Sequence, residues 1–129
     1  QTLAVTLSGV ASTSTTAACV SYSGVNQSTP FGTAVIASGS GTSEQSQTAM
    51  QVSSTVNGSV PWATLTSGAS PYIGGVGVTD RQLVNNVNLS GYLVDGNTRI
   101  SSGNTHTFNW VSVLGYASLG AMMIPAVVP

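Results

Sequence analysis

Short runs in which apolar and polar residues alternate follow one another along the chain. In residues 2–8, Leu3, Val5 and Leu7 face one side of the backbone. A period of two residues is typical of a half-buried β-strand, and no useful stretch shows a helical period. The alternation predicts about nine short strands, a spacing typical of an antiparallel β-sandwich or jelly roll. The predicted strands are residues 2–8, 17–23, 33–37, 48–56, 60–65, 80–86, 89–95 and 98–101 and a final pair within 104–129.

The longest apolar stretch, in residues 104–129, is predicted to form two strands paired with each other. Phe108 and Trp110 share one parity, which is again period two. A membrane-spanning helix needs about 20 mostly apolar residues, whereas glycine, proline and serine interrupt this stretch. No Lys or Arg flanks it as an orientation anchor. We therefore expect two paired strands joined near residues 114–115, and no membrane insertion.

Two dipeptides favour tight turns between neighbouring strands. Asn-Gly at 57–58 is a strong hairpin signal, so the strands on either side of it are predicted to pair. Pro61 lacks a backbone N–H and is expected at a sheet edge or at the first position of its strand. Asp-Gly at 95–96 is a second hairpin candidate, with residues 98–101 as the returning strand.

Charge is scarce, and this limits the classes of partner. Only 4% of the 129 residues are charged and none is a lysine, whereas an ordinary soluble domain has about 25% charged residues. Two scattered arginines cannot supply the phosphate contacts that nucleic acids or anionic membranes require. The length suits one domain, residues 1–129. A mean hydropathy of +0.27 predicts a surface covered by neighbouring subunits or by glycan.

Location and cross-linking follow from the first residue and the single cysteine. The chain starts at Gln1 with no basic or apolar leader, which is typical of a processed or excised chain and predicts an extracellular or cell-surface protein. Cys19 has no partner within the chain, so it is either a small apolar strand residue or half of a bridge between chains. Without lysine, an isopeptide-linked polymer is excluded.

No arrangement of residues predicts an enzyme, a metal or a cofactor. His106 is the single histidine, and no Gly-x-Ser-x-Gly motif accompanies it. Three acidic residues show no spacing that would pair two carboxylates for glycosidase chemistry. Asp95 and Asn97 could bind calcium together with carbonyl oxygens, but a turn explains this pattern more simply.

Several residues are candidates for contact with carbohydrate. Trp62 and Tyr72 each lie next to a proline near predicted loops, so their rings could stack on a sugar. The sequence Asn-x-Ser occurs at Asn26, Asn57 and Asn88, which are acceptor sites for N-linked glycan. With so many Ser and Thr residues, about two such sites are expected by chance, so three is not an enrichment.

Two stretches resemble a family of β-sandwich domains found in large secreted and cell-surface proteins of bacteria, some archaea and phages. The first is TLAVTLSG followed by CVSYSGVNQSTPFGT, and the second is HTFNWVSVLGYASLGAMMIPA. The residues that match the first motif are Tyr22, Ser23, Gly24, Val25, Asn26, Pro30 and Phe31. In the second, Trp110 and the Pro-Ala at 125–126 match the closing strands, and residues 80–84 lie where the family has a Gln-Arg-type strand. The resemblance implies display, adhesion or structure, and no catalytic residue transfers with it.

This family usually has several strands before the TLAVTLSG strand, where the present chain begins. A sandwich without those strands would expose sheet edges, and open edges pair with other chains. We therefore expect a non-enzymatic structural subunit of a surface filament, appendage or virion-like assembly, completed by a neighbouring subunit through Leu3, Val5 and Leu7. The alternative is a carbohydrate-binding or adhesion module of a larger secreted protein, acting through Trp62 and Tyr72.

Overall fold

The computed structural model describes residues 4, 8, 19–39, 50–68, 77–84, 90–109 and 115–126, and within these ranges the chain is all-β. No helix in the described ranges is long and apolar enough to cross a membrane. The strands are β1 (Val35–Gly39), β2 (Met50–Ser53), β3 (Val60–Ser67), β4 (Val78–Val84), β5 (Ser90–Gly96), β6 (Thr105–Phe108) and β7 (Tyr116–Met123).

Two antiparallel sheets enclose the core, so the protein is an antiparallel β-sandwich, as predicted. The larger sheet has the order β1-β7-β3-β5-β4, and the smaller one pairs β2 with β6. Gly120 of β7 leaves room for Met50 and Val52 of β2, because a Cβ at this glycine would lie 2.6 Å from the Met50 methyl group. The core is formed by Met50, Val52, Ala63, Leu65, Tyr92, Val94, Phe108 and Met122.

The alternation read from the sequence places side chains correctly on β3. Ala63 and Leu65 are fully buried between the sheets, whereas Thr64 and Thr66 lie on the outer face of the larger sheet. Trp62 shares this outer face and is half-buried. Burial of alternate residues is what a strand with one face on the core requires.

The prediction that the last two strands pair with each other is wrong. β6 pairs with β2, whereas β7 lies between β1 and β3 in the other sheet. The connection between them therefore crosses from one sheet to the other. β7 is central in its sheet, and this explains why Ala121, Met122 and Met123 are buried on both of its faces. A central strand reads as a continuous apolar run, which conceals its partners.

Both predicted hairpins are also wrong, although the turn chemistry at the first is correct. Gly58 has a φ of 79°, as a turn glycine should, but the turn joins β2 to β3 across the sandwich. β3 is central, so Pro61 is not at an edge, and its ring fits above Gly96 where a Cβ would collide with it. After β5 the chain forms only an isolated bridge between Ser59 and Ile100.

The N-terminal predictions are only partly covered by the described residues. Most of the strand predicted at 2–8 lies outside them, including Leu3, Val5 and Leu7. Residues 19–23, within the strand predicted at 17–23, are not in a strand. They lead into a segment that meets the end of β7 through two isolated bridges, Val25 with Pro125 and Phe31 with Met123.

Candidate functional site

A cleft of about 260 Å³ opens at the end of the larger sheet where β4 and β5 meet the segment that follows β7. Three of the five charged residues in the chain line it: Arg81, Asp95 and Arg99. Both arginines of the chain are therefore in one cleft. The other lining residues are Tyr22, Ser23, Gly24, Val25, Gly58, Val60, Gly96, Asn97, Thr98, Met123, Ile124 and Pro125.

A β-bulge in β4 places Arg81 at this cleft. Asp80 pairs with Val94 and Gln82 with Leu93, so Arg81 is the extra residue between two regular pairs. A bulge bends the strand and redirects a side chain, which is why bulges are frequent near functional sites. The Arg81 Nε donates a hydrogen bond of 2.7 Å to Oδ2 of Asp95.

The ion pair joins a buried carboxylate to a partly exposed guanidinium. The side chain of Asp95 is 3% exposed and that of Arg81 is 46% exposed. The hydrogen bond to Asp95, followed by the charge of that carboxylate, raises the pKa of Arg81 further above its already high value. Because a buried charge is costly without a partner, Arg81 is needed to keep Asp95 ionised in this position.

Tyr22 closes the buried side of the same cluster. Its burial, then the charge of Asp95 and a hydrogen bond to it, raise the pKa of Tyr22 to about 12. That bond is not well aligned, because Tyr22 Oη and Asp95 Oδ1 are both buried without a partner of good geometry among the described residues. The phenol and the carboxylate thus influence each other mainly through proximity and charge.

Arg99 lies on the opposite wall and is held differently. Its Nη1 donates a hydrogen bond of 3.0 Å to the carbonyl of Gly58, and the residue is exposed. It forms no ion pair with a carboxylate of the described residues. Between the two arginines, Asn97 donates through Nδ2 to the Val78 carbonyl and accepts from the Thr79 hydroxyl. Arg99 therefore brings an uncompensated positive charge to the cleft.

The aromatic residue predicted to contact glycan lies on the sheet rather than in a loop. Trp62 is in β3, with its ring 5.4 Å from that of Phe31 at an angle of 50°. Phe31 is 42% exposed, so it is the more accessible ring of the pair. Tyr72 is outside the described residues. The structure thus adds Phe31 to the candidates, and it does not bring Trp62 and Tyr72 together within the described ranges.

Two of the three predicted glycosylation sites can be placed. The Oδ1 of Asn26 accepts hydrogen bonds from the backbone N–H groups of Ser28 and Thr29, at 2.9 and 3.0 Å. The Oδ1 of Asn57 accepts one of 2.9 Å from the N–H of Ser102. Each side chain therefore orders its own loop through its carbonyl oxygen. Asn88 lies outside the described residues.

His106 and Cys19, considered for chemistry, are not close to the cleft lining. His106 lies in β6 with its ring 4.7 Å from that of Phe108, and burial lowers its pKa. Cys19 is an exposed free thiol rather than a residue inside a strand. No group of three or more His, Cys, Asp or Glu side chains that could hold a metal occurs among the residues described here.

The cleft was not predicted from the sequence, although one signal pointed to it. Four of the five charged residues, Asp80, Arg81, Asp95 and Arg99, occur within a stretch of twenty residues. In a chain with so few charges, such a concentration indicates that they share a location. Comparison with known protein families, with curated proteins and with solved structures finds no match to this chain.

Proposed function

We propose that the protein is a non-enzymatic, extracellular structural subunit of a surface filament, appendage or virion-like assembly, held together by strand pairing and apolar packing. The observation that carries this proposal is the state of β1. This strand is an edge of the larger sheet and has no strand on its outer side among the described residues. Its sequence, VIASG, has no charged residue and no proline. Ile36 projects from it with 74% of its surface exposed.

Such an edge favours addition of another strand. Unpaired N–H and C=O groups form a template for pairing, and monomeric proteins usually protect it with charges, prolines or bulges. None of these protects β1. The distribution of charge supports the same conclusion, because Asp80 is the one charged residue of the described ranges outside the cleft lining. A surface with so few charges is suited to burial against neighbouring subunits.

The strand added to β1 is, in this proposal, residues 2–8 of a neighbouring copy. Leu3, Val5 and Leu7 alternate with smaller or polar residues, so a paired strand would turn one apolar face towards the exposed surface of Ile36. The backbone would supply affinity and the alternate side chains would supply register. Repetition from copy to copy would produce a filament, because a donor strand and an acceptor edge form a heterologous contact.

Substitution of Ile36 tests the acceptor edge. Ile36→Lys places a charge on β1 at an exposed position, so its effect on the stability of the subunit should stay within about 0.5 kcal/mol. Light scattering and electron microscopy should detect concentration-dependent polymers of the unmodified protein and monomers of the variant. Ser101→Lys adds the same charge in an exposed turn and should polymerise normally. A monomeric unmodified protein, or polymers of Ile36→Lys, would contradict the proposal.

Deletion of residues 1–8 tests the donor strand. The truncated protein should remain monomeric, and a synthetic peptide of residues 1–8 should bind to it. The same peptide with Val5→Pro should not bind, because proline removes a ladder hydrogen bond. Polymers that persist unchanged after the deletion would reject strand donation. A truncated protein that unfolds, while Ile36→Lys is stable, would show instead that residues 2–8 complete their own subunit.

A carbohydrate-binding or adhesion module is the second candidate, and the exposed Phe31–Trp62 pair favours it. Aromatic rings on an open sheet face can stack on the apolar face of a sugar, and Phe31 is accessible. Phe31→Ala should weaken binding on a glycan array and leave the fold intact, since its side chain is already 42% exposed. Val56→Ala, which removes another exposed apolar side chain, is the matched control. An unchanged array profile for Phe31→Ala would exclude this surface.

A further inference from the structure

We propose that the cleft between Arg81 and Arg99 binds the carboxylate of an acidic sugar, a hexuronic acid being the simplest member of the class. The inference does not depend on whether the protein polymerises. Its basis is the placement of charge: a chain with two cationic side chains and no lysine has both of them in the lining of one cleft. The cleft is therefore the part of the described surface that attracts an anion.

Both guanidinium groups are oriented before any ligand arrives. Arg81 is fixed through Nε by the 2.7 Å bond to the buried Asp95, and that bond leaves its two Nη nitrogens. Arg99 is fixed through Nη1 by the 3.0 Å bond to the Gly58 carbonyl. Planar guanidinium groups bind carboxylates with two parallel hydrogen bonds, and prior orientation lowers the entropy cost of binding.

The net charge of the cleft selects a single negative charge. Asp95 compensates one guanidinium, whereas Arg99 has no ion pair among the described residues, so one positive charge remains. A carboxylate balances this charge. A phosphate monoester carries nearly two negative charges at neutral pH, and a nucleic acid requires many cationic contacts. The balance therefore favours a ligand with one carboxylate.

The other lining groups and the size of the cleft point to a sugar. The volume of about 260 Å³ accommodates one pyranose ring rather than an extended ligand. Ser23, Asn97 and Thr98 supply side chains that both donate and accept hydrogen bonds, which is what ring hydroxyls need. Tyr22 and Pro125 supply apolar surface for the face of the ring. Few polar groups on a partly apolar wall are typical of small-ligand sites.

The test is a titration of the full chain, observed by its backbone amide NMR signals, with methyl glucuronoside and methyl galacturonoside. Methyl glucoside is the matched neutral ligand, because it has the same ring without the carboxylate. We expect saturable shifts at Gly58, Asn97 and Thr98 with at least one uronoside, weakening as salt is added, and none with the glucoside. Equal binding of the charged and neutral sugars, or no binding of either uronoside at millimolar concentration, would overturn the proposal.

Variants separate this site from general charge effects. Arg99→Gln keeps a hydrogen-bonding side chain of similar length and should weaken uronoside binding at least about tenfold, the effect of losing one charged hydrogen bond. Thr66→Asp lowers the net charge equally, at an exposed position about 13 Å along β3 from the partner of Asp95, and should bind normally. Unchanged binding by Arg99→Gln would reject the cleft. A tripeptide acid that binds where uronosides do not would reject the sugar assignment.

Discussion

The two edges of the larger sheet, β1 and β4, differ in charge and in regularity. β4 carries Asp80 and Arg81 and has a bulge between its regular pairs. β1 pairs with β7 in unbroken register and has neither charge nor bulge. Charges and bulges are the means by which proteins prevent a sheet edge from pairing. The comparison indicates that one edge is protected and the other is open to a further strand.

The protection of β4 and the proposed ligand site share one residue, Arg81. The same bulge that interrupts the edge places the guanidinium on Asp95 at the cleft. β1 is four strand positions from β4 in the sheet, which corresponds to about 19 Å. A strand added to β1 would therefore not cover the cleft. Assembly through one edge and ligand binding at the other are compatible in a single subunit.

The largest effect is expected when the protected edge loses Arg81. Arg81→Ala leaves the buried carboxylate of Asp95 without its ion-pair partner, so we expect the free energy of unfolding to fall by about 3 kcal/mol. This estimate is at the low end of the usual range because half of the Arg81 side chain is exposed. Urea denaturation followed by tryptophan fluorescence measures the change.

Arg99→Ala is the matched control for this prediction. Arg99 is bonded only to a backbone carbonyl of the described residues, so its loss should cost about 1 kcal/mol or less. The difference between the two arginines isolates the contribution of the buried carboxylate. Equal effects of the two substitutions would mean that the ion pair does not stabilise the β4 edge.

A smaller effect is expected on the open edge, at Gly39. This residue lies opposite Tyr116, and a Cβ here would be 2.5 Å from the tyrosine ring. Gly39→Val should force the ring aside and lower the free energy of unfolding by about 2 kcal/mol, within the range for overpacked sites. It should also reduce polymer formation, because β1 would no longer be held flat against β7.

Ser38→Val serves as the control in the same strand. Ser38 is exposed, and a β-branched residue suits a strand, so the stability of the subunit should be unchanged within about 0.5 kcal/mol. If Gly39→Val is as stable as Ser38→Val, the contact between the glycine and the ring does not hold β1 in place. Thermal unfolding of the two variants side by side gives the answer.

Which parts of this arrangement could be predicted depends on whether the information is local. Alternation records which face a side chain takes, so the positions of Ala63 and Leu65 follow from the sequence. Strand partners are set by the path of the chain between sheets, so the pairing of the last two strands was predicted wrongly. The cleft joins Arg81 to Asp95, fourteen residues away. No local rule relates these two residues, although the clustering of charge suggested a common location.

The smallest effect concerns pH and the tyrosine beside the protected edge. The pKa of Tyr22 is about 12 in the folded protein and 10.0 in an unfolded chain, so the folded state keeps the phenol proton longer. Stability from Tyr22 is fully present below pH 10 and is lost as pH rises towards 12. We expect a loss of about 1 kcal/mol, since partial exposure reduces the full effect of the shift. Tyr22→Phe should abolish this component of the alkaline loss. If the variant and the unmodified protein lose stability in parallel between pH 10 and 12, Asp95 does not act on this phenol.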